Sequence, residues 1–192
     1  MTGSADGTSP GVVIWTAQSC SAAHGPGGWA FAAYSDGRDA GCALGGELST
    51  TRPRMDLAAA AEALEALARP CAVTLWSDSK YLITGMADGW LLRWERNGMR
   101  TSERNHGKLP ANMDLWDRLR QAAEGHHVTW QRVRRDAASP GSEHARQLAA
   151  AARRRTGCQR ACIPGLVQQR ADQPPLRRDR RAHLGRARSS LY

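Results

Sequence analysis

Two features of this chain have the residue types to do chemistry. The first is the run Trp90-Leu91-Leu92-Arg93-Trp94-Glu95-Arg96, which Arg100, Arg104 and Lys108 extend. Arginine and lysine pair with phosphates, and aromatic faces pack against sugars or bases, so the pattern suits a nucleic-acid strand. Glu95 and Glu103 dilute the charge. Trp90 and Trp94, at i and i+4, fit equally well as core contacts beneath a charged face. The second feature is a pair of carboxylates, Asp56 and Asp78, which each have an ordinary explanation. Asp78 lies between Ser77 and Ser79, a cap-like sequence at a turn into a helix. Asp56 reads as an ordinary first-turn helix acid, favoured by the helix dipole. Cys158 and Cys162 have a metal-like spacing, but His183 is a thin complement to them. Reduced thiols are the plainer reading of an odd total of five cysteines.

The net charge of +9 is unevenly placed. From Arg153 to Tyr192 there are eleven arginines against Asp172 and Asp179, and the rest of the chain is neutral with sixteen basic and sixteen acidic residues. Such a tail attracts polyanions, and it reads equally as a solvated end with no dedicated partner. No apolar stretch approaches the ~18 residues that span a bilayer. Residues 1–11 lack the basic-then-apolar order of a signal peptide, so a cytoplasmic monomer with no membrane contact is expected.

The elements that must position these groups follow from periodicity. Val12 to Ala17 reads as a central strand, and Gly25-Pro26-Gly27-Gly28 as a loop. Trp29–Tyr34 and Ala40–Glu47 form a hairpin across Ser35–Asp39. Pro53 starts a helix in which Leu57, Ala61, Leu64 and Ala68 share a face, and Pro70 stops it. Cys71–Trp76 is a fourth strand, Lys80–Ala87 a short helix, and Met113–Ala123 a helix with Leu115, Trp116 and Leu119 inward. Val128–Val133 is a fifth strand and Ser142–Arg155 a last helix. Residues 1–11 are expected to be disordered, 12–156 to be one domain, and 157–192 to be an Arg-rich tail without packed elements.

Several local motifs follow one another along this order: Thr16-Ala17-Gln18-Ser19-Cys20, Gly25-Pro26-Gly27-Gly28, Thr50 to Leu57, Ala63 to Leu67, Ser77-Asp78-Ser79-Lys80-Tyr81, and Asn112 to Trp116. In this order and spacing, over about Val12 to Arg154, the chain resembles the type 1 ribonuclease H family. The resemblance implies an α/β fold whose five-stranded mixed sheet has three antiparallel strands, then two parallel ones, flanked by helices. It also implies cleavage of the RNA strand of an RNA–DNA hybrid, with two Mg²⁺ or Mn²⁺ ions about 4 Å apart at the scissile phosphate. Four acids hold those ions in the family.

Carried over one at a time, the first-strand acid falls at Ala17 and the last-helix acid at Arg146. Asp56 stands where the family has a longer Glu, and Asp78 matches. The family's loop histidine falls at Asp136. Thr51 matches a position near a phosphate pocket, whose glycine-loop asparagine is replaced by Ala23. The resemblance implies that Asn112 and the basic segment from Trp90 to Lys108 fall in regions that face nucleic acid in the family. The acids that the resemblance assigns to the water-activating ion are thus missing, and Asp56 and Asp78 would hold a single ion weakly. A guanidinium at Arg146, entering a pocket between Asp56 and Asp78, would offset their repulsion in place of a metal. Three readings follow: a nucleic-acid binder that has lost cleavage; an active or residual ribonuclease H rebuilt on Asp56, Asp78 and Glu143 or Asp136; and a decayed copy.

Overall fold

A computed structural model describes residues 11–97, 110–134, 139–155 and 161–162. The chain runs β1 (Val12–Cys20), β2 (Gly25–Ser35), β3 (Arg38–Thr50), α1 (Arg52–Glu65), β4 (Ala72–Ser77), α2 (Lys80–Ala87), α3 (Trp90–Arg96), α4 (Met113–Glu124), β5 (His127–Arg132), α5 (Pro140–Arg154) and β6 (Ala161–Cys162). The sheet order is β5-β4-β1-β2-β3-β6. β1, β2 and β3 are antiparallel neighbours, and β4 and β5 run parallel to β1. This is the expected mixed five-stranded sheet, with a two-residue β6 added on the free edge of β3. That pairing departs from the expectation of a tail without packed elements; the rest of that tail lies outside the described residues.

The first three strands are longer than their apolar runs. Gly25–Gly28 is not a loop but the start of β2, where Gly27 pairs with Cys20 on one side and Glu47 on the other. These glycines mark close approach. A Cβ on Gly28 would lie 2.4 Å from the Ala149 carbonyl oxygen and from the Arg153 nitrogen of α5. The β2–β3 turn has positive φ at Asp36 and Gly37, the pattern of the type I′ hairpin that an Asp-Gly pair favours. α1 stops at Glu65, so Ala68 lies beyond it and Pro70 does not set its end.

Two apolar layers sandwich the sheet. On one face Ile14, Phe31 and Leu75 meet Met55, Leu57 and Leu64 of α1, Leu82 of α2, and Leu115, Trp116 and Leu119 of α4. On the other, Ala17, Ala30, Ala32 and Cys42 meet Ala145 and Ala149 of α5. The fully buried part of the second layer is built from small side chains, which lets α5 lie very close to the strands, and Trp15, Tyr34, Leu44 and Leu148 pack around it.

Candidate functional site

The ends of β1, β4 and β5 converge with the starts of α1 and α5. Parallel pairing of β1 with β4, and of β4 with β5, brings the C-terminal ends of all three to one rim. Thr16 Oγ1 donates to the Trp76 carbonyl oxygen at 3.2 Å, which ties the end of β1 to the strand leading to Asp78. Ser79 caps α2 by accepting from the Leu82 N–H at 3.3 Å. The cap is therefore Ser79, and Asp78 stands at the strand end facing the rim. Beyond β5, the Val133 N–H donates to the Ser77 carbonyl oxygen at 3.0 Å and holds Arg132 to Arg134 beside Asp78.

Two adjoining clefts open here. The larger, about 730 Å³, is lined by Gln18, Arg52, Asp56, Asp78, Arg132 and Arg134 among others. The smaller, about 290 Å³, is lined by Ala17, Gln18, Cys20, Arg52, Asp78 and Arg146 among others. The four described positions Ala17, Asp56, Asp78 and Arg146 therefore come together at one rim, while Asp136 lies outside the described residues. Asp56 is 7% exposed and sits one turn into α1, which enters through Pro53, so it is a buried acid beyond the first turn and not the first-turn acid its sequence suggests.

Ala17 is 6% exposed, and its methyl belongs to the small-residue layer under α5. Arg146 pairs with Glu143 at 3.3 Å, one helical turn earlier; their side chains are 28% and 56% exposed. Glu143, one candidate replacement ligand, is thus engaged with the cation that stands in place of the family's acid. The nearby Cys20 thiol is pushed above its ordinary pKa, first by burial and then by the Asp56 carboxylate, with Arg52 opposing. It stays protonated and is a poor metal ligand. Among the described residues, no three His, Cys, Asp or Glu side chains converge as a metal-binding group. The donor set that the described residues offer there does not fit a pair of divalent ions, which need several oxygen ligands.

Gln18, Arg52, Arg132 and Arg134 also line the clefts, and none was singled out from the sequence. Signals were present. Arg52 opens α1 directly after Thr51, and Arg132 and Arg134 are two apart where a strand leaves the sheet, a spacing that shares a face. Gln18 Oε1 is buried and has no hydrogen-bond partner among the described residues.

The second region lies around α3 and the start of α4. Trp90 and Trp94 pack in a cluster with Tyr81 and Trp116, with ring centroids 5.2–6.3 Å apart. The core-contact reading therefore describes their packing, and Trp94 lies against the main apolar layer. Arg93 is exposed and donates to the Asp88 carbonyl oxygen at 3.1 Å, and Arg96 is exposed. Asn112 is the N-cap residue of α4 in a left-handed conformation, φ 61°, without capping through its side chain. Thr51 occupies the N-cap of α1, likewise without a side-chain cap. Arg100, Arg104 and Lys108 lie outside the described residues.

Residues 9–154 match the RNase H family model. The ribonuclease H of Gluconobacter oxydans is 44% identical over 146 residues, covering 76% of this chain and 93% of that protein. That of Moorella thermoacetica is 44% identical over 143 residues, covering 73% and 90%. Among solved structures, a type 1 RNase H with the type 2 active-site motif superposes with a TM-score of 0.69 at 24% identity, covering 84% of this chain and 85% of that one. An RNase H1 in complex with an RNA/DNA hybrid gives 0.56 at 14% identity, covering 75% and 97%. These two structural likenesses speak to the fold, and the sequence relatives speak to descent. The chain belongs to the ribonuclease H family.

Proposed function

We propose that this protein binds RNA–DNA hybrid, or a related nucleic acid, and cleaves it far more slowly than its relatives or not at all. The observation that carries the reading is the methyl of Ala17 at the cleft floor, where the family's first acid would bridge two ions. Arg146 removes a second acid and brings a positive charge. Mg²⁺ or Mn²⁺ would find Asp56 and Asp78 only, enough for one weakly held ion. Losses inside one catalytic unit do not add, and a missing essential member commonly costs several powers of ten in rate. Binding is supported by exposed Arg93 and Arg96 beside Trp90, Trp94 and Asn112, by Thr51, and by the basic residues Arg100, Arg104 and Lys108 in the same stretch of sequence. The rebuilt site is less favoured, because Glu143 already pairs with Arg146.

We also place the protein in the cytoplasm as a monomer. The reduced thiols of Cys20 and Cys71 suit a reducing compartment, and no helix among the described residues is long and apolar enough to cross a membrane.

The test is to incubate the purified protein with a labelled RNA–DNA hybrid in Mg²⁺ or Mn²⁺ and to follow both cleavage and gel shift. A shift without cleavage is expected. Cleavage that Asp78→Asn abolishes would overturn the reading, and neither shift nor cleavage would point to a decayed copy. Restoring both acids together, as Ala17→Asp with Arg146→Asp, should recover Mg²⁺-dependent cleavage. Each change alone should recover little, because one acid still leaves the unit incomplete.

A further inference from the structure

The two clefts share Gln18, Arg52 and Asp78, so they form one groove. Its charged lining is Arg52, Arg132, Arg134 and Arg146 against Asp56 and Asp78. With Glu143 counted at the rim through its pair with Arg146, one positive charge remains in excess among the described residues. These guanidinium groups come from three separate parts of the fold: the first turn of α1, the end of β5 and the first half of α5. Arg52, Arg132 and Arg134 are exposed at the groove edge, and Arg146 is half-buried on the α5 side. An excess of positive charge repels a divalent cation and attracts an anion. A planar guanidinium also matches phosphate oxygens in a two-point fork, which an ammonium does not. Gln18 adds, at the same place, a buried acceptor with no partner among the described residues, where a ligand hydroxyl or a water would satisfy it.

We propose that this groove grips a phosphodiester of the bound strand directly through Arg52, Arg146 and the arginines at the end of β5, so that binding there needs no divalent metal. The proposal rests on the nucleic-acid-binding reading above and specifies how that strand is held. The arginines take over the charge neutralisation that metal ions supply in a hydrolysing site. They supply no activated water, so grip survives where cleavage does not.

The test uses the full chain and a fluorescent RNA–DNA hybrid, with Kd measured by polarisation in EDTA and in Mg²⁺. The wild type should bind at least as tightly in EDTA as in Mg²⁺. Arg52→Ala with Arg146→Ala should weaken binding in EDTA by about tenfold or more, and should lower the salt slope by about one for each phosphate no longer neutralised. The equal-charge control is Arg38→Ala with Arg69→Ala. Both control residues sit at the opposite end of the sheet, since Arg38 pairs with Ser35, which pairs with Val12, and Arg69 precedes β4. That control should change Kd by less than about threefold, since its phosphate attraction is general and screened. Arg52→Gln alone, at an exposed helix start, keeps the test open if the double variant melts early, and should still weaken binding more than the control. Binding that requires Mg²⁺, or groove variants that match the control, would overturn this proposal while leaving nucleic-acid binding intact. Failure of the wild type to bind in either buffer would overturn both.

Discussion

Residue 17 carries a methyl and residue 146 a guanidinium, and both border the rim that holds Asp56 and Asp78. The chemistry available at the site is therefore set by single side chains at these positions. Gln18 makes the same point from another side. Its buried Oε1 has no partner among the described residues, and an unmet buried acceptor costs about 1–3 kcal/mol. Gln18→Met should therefore raise unfolding stability, by about 1 kcal/mol in urea titration; a clear drop would show that the carboxamide has a partner in solution. Ala17, Asp56 and Asp78 were legible from the motifs around them, because Thr16, Arg54 and Ser77 flank them in recognisable order, and Arg146 from its place in the last helix. The other arginines of the groove were not. Arg52, Arg132 and Arg134 lie on two segments that meet only after the sheet has formed, and no local pattern joins them to the acids.

At the scale of elements, the five main strands and every described helix except α3 could be read from periodicity and punctuation; both ends of α2 were read at Lys80 and Ala87, but most other ends were not. α3 is only seven residues long, too short for its tryptophans and arginines to establish a helical face by pattern. Gly25–Gly28 has the composition of a loop and the pairing of a strand, because the small residues admit α5 above them. Gly28→Ala should therefore act as overpacking, lowering stability by about 1–3 kcal/mol or more in denaturant titration; an unchanged midpoint would mean that α5 can step aside. Near the opposite end of the sheet, His126 follows α4 and lies 3.7 Å from Cys71. Burial holds its pKa below the ordinary 6.5, against a smaller opposing effect from a backbone hydrogen bond. The unfolded chain thus takes up a proton at higher pH than the folded one. Stability from this group is full above pH ~6.5 and declines as pH falls through that value towards the lower folded pKa. The melting temperature should accordingly drop between about pH 7 and pH 5, and His126→Gln should flatten that drop. Equal slopes in the two proteins would assign the dependence elsewhere.

For the whole molecule, the net charge of +9 gives the proposed binding of nucleic acid a strong electrostatic component. Binding dominated by phosphate pairing should weaken steeply with salt. About six neutralised phosphates imply a loss of roughly a thousandfold between about 50 and 200 mM. A flat response in a filter-binding series would remove the arginine-rich tail and the basic segment from the interface. The small-residue layer beneath α5 has a further consequence. Ala145, Ala149 and Ala152 have no rotamers, nor do Gly28 and Gly46 opposite them. At these contacts docking freezes almost no side-chain entropy, and only the half-buried Leu148, Trp15, Tyr34 and Leu44 around them have rotamers with which to absorb an error. A misfit there is transmitted as rigid displacement of the helix. Because Arg146 rides on that helix and Ala17 lies beneath it, the spacing of the groove is set by backbones in contact, and damage to the packing at Gly28 would be felt as a shift in where the phosphate is held.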